Sequence, residues 1–176
     1  LLVVDEELSF VVGFNIAPEY AGDGVTRGWR DLGLMIRGET GKHLAATFDE
    51  MWNSREFRHP YGLRFWLSTL RRRLVACSSG EVMATGPGLG RNAFHASLLR
   101  SLRRARNVRI MSGYFVPGFL LRRALQRVAR RGGRVQLLLA GKTDVPLVQA
   151  AGRAFYGALL QAGVEIAEYE PQVLHA

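Results

Sequence analysis

The chain has 176 residues, enough to bury the core of one ordinary domain or parts of two small ones. Hydrophobic residues make up 48% and prolines number six, which excludes a disordered chain; the one cysteine, Cys77, excludes an internal disulfide or a cysteine-based zinc site and reads as a small apolar residue. No apolar run approaches the roughly 18 residues of a membrane span, and the net charge of +9 is unevenly placed, with 18 arginines against only Glu56 and Glu81 in residues 55–134 and a net acidic remainder.

In chain order, residues 1–4 and 8–12 are apolar, β-branched runs around Asp5-Glu6-Glu7, which predicts two strands joined by a tight turn. Residues 1–4 are too short for a signal peptide and lack an initiating methionine, so the chain is expected to be an excised segment. Gly13-Phe14-Asn15 closes the second strand, and Pro18, Gly22, Gly24 and Gly28 punctuate a loop. Residues 29–37 alternate as a strand does, and Leu44, Phe48 and Trp52 have helical spacing. The pattern then dissolves into aromatic and basic residues. The expected division is an inner part of a first half at 1–53, a linker region at 54–80 and a second half beginning at 81 and running to 176.

The second half is more regular. A short strand is predicted at 82–85 and a turn at Gly86-Pro87-Gly88-Leu89-Gly90, which lacks the lysine and hydroxyl of a phosphate-binding loop. Asn92 is a candidate cap for a helix with Phe94, Leu98, Leu102 and Ala105 inward. A strand follows at 108–111, then a helix to Arg131 with Leu121, Ala124, Leu125 and Val128 inward, ended by Gly132-Gly133. Residues 135–139 read as a strand, 145–162 as one helix closed by Gly163, and Val164 and Ile166 as the start of another strand, with His175 opening the next. Strand and helix alternating through short links predict an α/β fold with a parallel core sheet.

Two incomplete motifs face the ends of the chain. Asp5, the six residues 6–11, then Val12-Gly13-Phe14-Asn15 follow the spacing of the inner part of one; Val173-Leu174-His175-Ala176 follows the start of a second. A histidine at a strand edge is by itself usually structural. The surroundings of this one are more specific: residues 164–176, Tyr114-Phe115-Val116-Pro117 before a basic helix, Gly141-Lys142-Thr143-Asp144-Val145-Pro146, residues 13–22 and Trp29-Arg30-Asp31. Together these stretches, across nearly the whole chain, resemble bacterial cardiolipin synthases and related phosphatidyltransferases of the phospholipase D superfamily. Their repeated motif is histidine, any residue, lysine, four residues, aspartate, six residues, a glycine-rich turn and asparagine.

The resemblance implies a phospholipase D-like α/β fold of mixed and parallel sheets flanked by helices, in two pseudo-symmetric halves. It implies a phosphohistidine intermediate, with one motif histidine attacking phosphorus and the other serving as acid and base. Lysine and asparagine donors meet the non-bridging oxygens, and neither metal nor other cofactor is needed. Carried onto this chain, His175 is the second histidine in the acid/base role, and Asn15 contacts phosphate. Gly13 stands where many members have serine, and Val12 replaces the usual glycine, crowding the phosphate pocket. Asp5 is the motif aspartate and fixes the turn beside Glu6 and Glu7. Asp31 is the carboxylate expected to orient the first histidine, or else to neutralise Arg27 or Arg30. With one motif histidine and neither motif lysine, the chain by itself is expected to be inactive.

The implied partner is an anionic phospholipid at the cytoplasmic face of the bacterial membrane, with peripheral contact through the arginine-rich block. A phosphodiester nuclease of the same superfamily is the alternative enzyme, since that block also suits nucleic acid. A non-catalytic module binding anionic surfaces is the third reading.

Overall fold

The computed structural model describes residues 1–15, 17–23, 26–53, 75–77, 80–82 and 93–175. Its contacts divide the chain into two compact units: Leu1–Val12 with Leu34–Ser97, and Gly13–Gly33 with Leu98–Ala176. The units are thus not contiguous in sequence. The expected linker region at 54–80 lies mostly outside the described residues, as do the glycine-rich turn at 86–90 and the Asn92 cap.

In the first unit, β1 (Leu2–Val4) and β2 (Leu8–Val12) pair antiparallel, Val4 opposite Leu8. β3 (Gly33–Arg37) completes the sheet in the order β1-β2-β3. The turn holds two non-glycine residues at positive φ, Asp5 at 53° and Glu6 at 57°, and closes through Glu7 N–H to the Val4 carbonyl at 3.1 Å. An aspartate tolerates the left-handed region better than most residues, so Asp5 has a local reason to be where it is. The predicted strand at 29–37 is shorter than its alternation suggested, because the chain before Gly33 folds with the other unit. α1 (Glu39–Asn53) starts earlier than Leu44 and buries that residue, while Phe48 and Trp52 stack on an exposed face at 5.8 Å. β4 (Val75–Cys77) and β5 (Gly80–Val82) form a second antiparallel pair.

The second unit is built on a parallel sheet of β6 (Asn107–Ser112), β7 (Arg134–Lys142) and β8 (Glu165–Val173), with β7 central. α4 (Pro146–Arg153) follows β7, and one face of the sheet packs against α2 (Ala93–Leu102), α3 (Phe119–Arg130) and α5 (Tyr156–Leu160), whose side chains join the same core. Leu125, Val128, Val135, Leu137, Leu139 and Leu159 are at most 2% exposed, each worth about 1.5–3 kcal/mol of burial. The expected inner face of α3 is the observed one: Leu125 and Val128 are buried, and Leu121 and Ala124 pack on the cluster. α2 differs from expectation at Phe94, which is 55% exposed, while Leu98 and Leu102 do join the core.

Two glycines end helices by the same device. Gly132 at φ +83° donates to the Ala129 carbonyl and Gly133 to that of Val128; Gly163 at φ +90° and Val164 repeat the pattern on Leu160 and Leu159. These are paired helix-ending hydrogen bonds of the left-handed glycine type. Arg131 ties the ends of α2 and α3 together by donating to the carbonyls of Leu102 (2.9 Å), Arg103 and Ala105. The single helix expected over 145–162 is two. Phe155 N–H bonds the Gly152 carbonyl three residues back, tightening the turn between α4 and α5. His175, expected to open the next strand, lies two residues past the end of β8.

Candidate active site around His175

Three side chains stand at equivalent places in the second unit. Tyr114, Asp144 and His175 each lie two residues beyond the end of a strand, after β6, β7 and β8 respectively. In a parallel sheet these are neighbouring positions outside the carboxyl edge, where open α/β sheets place their ligands.

The wall beside them comes from the segment 13–33. A single 3-10 turn, Pro18–Tyr20, presents the Tyr20 ring. Asp23 accepts hydrogen bonds from the Thr26 N–H (2.7 Å) and hydroxyl (2.6 Å) and from the Arg27 N–H (3.1 Å). Gly28, at φ +88°, turns the chain back so that the Trp29 N–H reaches the Glu19 carbonyl at 2.9 Å. Arg30 and Leu174 then form a parallel bridge: the Arg30 N–H donates to Val173 O and the His175 N–H to Arg30 O, both at 2.8 Å. That bridge fixes the backbone on either side of His175 and sets Asp31 next to its ring.

His175 Nδ1 lies 2.9 Å from Asp31 Oδ2, with side-chain exposures of 21% and 6%. The other Asp31 oxygen accepts the Leu32 N–H at 2.7 Å. An ionised carboxylate only accepts, so Nδ1 carries the shared proton and Nε2 is left to exchange a proton or attack an electrophile. The Tyr20 hydroxyl is 3.2 Å from the same Nδ1, a longer contact to a neutral group, so the carboxylate governs the tautomer.

Three aromatic rings enclose the imidazole. Tyr20 and Tyr114 stand nearly perpendicular to it at 5.4 Å and 6.0 Å, and Trp29 lies at 5.6 Å with its plane tilted by 36°. The Tyr114 hydroxyl donates to Asp144 Oδ1 at 2.6 Å, and that bond, more than burial, pushes its pKa up to about 12. Burial, then the charges of Asp31 and Asp144, raises Tyr20, while a hydrogen bond from the Asn15 side chain works the other way. Both phenols are therefore protonated at neutral pH.

Each residue singled out in the sequence now has a place. Asp31, expected to orient the histidine of the first motif, meets His175 in this chain, because the Arg30–Leu174 bridge sets the two side by side. Asn15 is exposed and reaches the Tyr20 hydroxyl, one contact away from the imidazole. Gly13 lies beneath the Asp31 carboxylate, where a Cβ would come within 2.9 Å of Oδ1. Asp5 belongs to the β1–β2 turn of the first unit. Gly113, which the sequence did not mark, lies against the chain just past β8: a Cβ there would lie 2.4 Å from the Leu174 carbonyl oxygen and 3.1 Å from His175 Cα. Tyr20, Trp29, Tyr114 and Asp144 were also not marked as site residues, although all four lie in the stretches that carried the resemblance. The common offset from three strand ends was the available signal.

The fold and site define an α/β unit with a carboxylate-oriented histidine at the carboxyl edge of a parallel sheet, an arrangement fit for proton transfer or nucleophilic attack. Residues 98–176 match the family described as the cardiolipin synthase, phospholipase D-like domain. The whole chain aligns with cardiolipin synthase 1 of Staphylococcus aureus (strain COL) at 30% identity over 177 residues, covering 36% of that protein. It aligns with the cardiolipin synthase of Geobacillus kaustophilus at 31% over 182 residues, 35% of its length, and with cardiolipin synthase A of Buchnera aphidicola at 30% over 183 residues, 37% of its length. Over residues 98–176 the chain is similar to the phospholipase D-like domain, and over its whole length to cardiolipin synthases. It spans about a third of the length of these curated relatives. No solved structure matches it.

Proposed function

We propose that this chain is part of a phospholipase D-type phosphatidyltransferase of the cardiolipin synthase kind, acting on anionic phospholipids at the cytoplasmic face of the membrane. Residues 1–53 and 81–176 belong, on this reading, to its two halves. The observation that carries the proposal is the 2.9 Å contact of His175 Nδ1 with Asp31 in an aromatic enclosure, in a chain aligned throughout its length with cardiolipin synthases.

The chemistry follows from the tautomer. As a histidine of the other motif forms a bond to phosphorus, the bond from phosphorus to the leaving alcohol breaks, and His175 gives its Nε2 proton to the departing oxygen. The acceptor hydroxyl then enters, loses its proton to His175 Nε2, and displaces the phosphohistidine nitrogen. Asp31 holds the ring and stabilises its charged form. Asn15 supplies a hydrogen bond to a non-bridging oxygen, Gly13 leaves room for the Asp31 carboxylate, and Asp5 shapes the β1–β2 turn.

The test is phosphatidyl transfer from a phospholipid to an alcohol acceptor by a polypeptide carrying this chain between complete histidine-x-lysine triplets. His175→Ala is expected to lower the rate by about 10²–10⁴-fold, the contribution of a positioned general acid/base, and the 176-residue chain by itself to give no turnover. Unchanged transfer by His175→Ala, or phosphodiester cleavage confined to nucleic acid, would refute the proposal.

A further inference from the structure

On the helical side of the second unit, α2 and α3 leave a shallow groove of about 130 Å³ lined by Leu99, Arg103, Leu120, Arg123 and Arg127 among others. Arg123 and Arg127 are one turn apart on α3 and so project from one face. Arg103 follows α2 directly, and the Arg131 guanidinium bonded to its carbonyl fixes its backbone there. Residues 82–143 contain no aspartate or glutamate. Among the described residues the ion pairs of this unit lie elsewhere, at Arg134–Glu165, Arg153–Glu168 and His175–Asp31. Three arginines thus line one groove, and among the described residues none of them forms an ion pair with a carboxylate.

Exposed apolar side chains stand at the start of α3, where Leu120 lines the groove. Phe119 and Leu120 open α3 and are 62% and 57% exposed. Arginines beside exposed aliphatic and aromatic side chains fit a headgroup-and-acyl boundary, where the cations meet phosphate and the apolar groups leave water. A nucleic-acid backbone would satisfy the arginines and leave Phe119 and Leu120 wet.

We propose that this groove is a docking site for anionic phospholipid in the plane of a bilayer, with Arg103, Arg123 and Arg127 on headgroup phosphates and Phe119 and Leu120 entering the interface. It names the membrane-contacting surface, and it does not depend on the chemistry assigned to His175.

Co-sedimentation of the 176-residue chain with vesicles of phosphatidylcholine, with and without phosphatidylglycerol, tests it. Binding is expected only with phosphatidylglycerol and to fall with salt. Arg123→Gln and Arg127→Gln should each weaken it about fivefold, and the triple change including Arg103→Gln roughly a hundredfold. Arg109→Gln removes the same charge from the opposite sheet face, since Val108 and Ile110 on either side of it pack on the core, and should change binding less than about twofold. Leu120→Trp supplies a second readout, with an emission blue shift expected on phosphatidylglycerol vesicles alone. Equal losses from Arg109→Gln and Arg123→Gln would reduce the effect to bulk charge and overturn the site. So would an indole reporter in the Leu120→Trp variant that stays wet on bound vesicles, or tighter binding to DNA lost with the same three arginines. Membrane binding that fails while phosphatidyl transfer persists sinks this inference and leaves the catalytic reading standing.

Discussion

At the scale of single residues, the site depends on where side chains are absent as much as on where they are present. Gly113 has no Cβ because the Leu174 carbonyl and His175 Cα occupy that space. Gly113→Ala is therefore expected to push the end of β8 outward. The cost should be about 1–3 kcal/mol, the usual range for overpacking, seen as a lower thermal midpoint together with reduced transfer activity. An unaltered midpoint and rate would mean that β8 yields freely and that the position of His175 is not tightly held. The sequence made the pair His175 and Asp31 visible as candidates through their motif context. It did not reveal that they meet, because 144 residues separate them and the bridge that joins them is made by backbone groups, which any sequence supplies. Tyr114 and Asp144 escaped for a related reason. Their importance lies in a shared offset from strand ends, and strand ends are set by tertiary packing rather than by local propensity.

At the scale of elements, hydrophobic period and glycine punctuation carried most of the reading. The inner face of α3, the parallel strands around β7 and the helix-ending glycines were all legible, since each rests on a local rule: spacing of 3.6, an apolar run, or a left-handed residue after a helix. Gly132 offers a clean test of the last rule. A Cβ there would meet nothing within 4 Å, yet φ is +83°, so Gly132→Ala isolates the torsional cost. A loss of about 1–2 kcal/mol is expected on denaturant unfolding, without the activity loss that accompanies Gly113→Ala; a neutral substitution would show that the end of α3 readily adopts another geometry. The break between α4 and α5 was not legible. The sequence from 146 to 160 keeps helical spacing, and the tightened turn at Gly152–Phe155 is a backbone event. Phe94 was misplaced because helical period identifies a face but not what covers it.

At the scale of the whole molecule, chain order and spatial grouping differ. The segment 13–33 lies between two strands of the first unit's sheet, yet packs with residues 98–176 and there supplies Tyr20, Trp29 and Asp31 to the surroundings of His175. A division of the sequence by composition follows chain order and has no means of detecting such an excursion. On the proposed mechanism Asp31 and His175 act as one unit, so loss of either is expected to weaken the same proton transfers. The most direct measurement compares His175→Ala and Asp31→Asn, in the polypeptide with both triplets complete, on two phosphodiesters. One has an alkyl alcohol as leaving group and the other a nitrophenolate that departs without a proton. Under single-turnover conditions both variants are expected to lose about 10²-fold or more in the first step on the alkyl substrate and far less on the nitrophenyl ester. If Asp31→Asn instead slows both substrates equally while His175→Ala discriminates between them, the pairing does not govern the acid/base step and the account is contradicted.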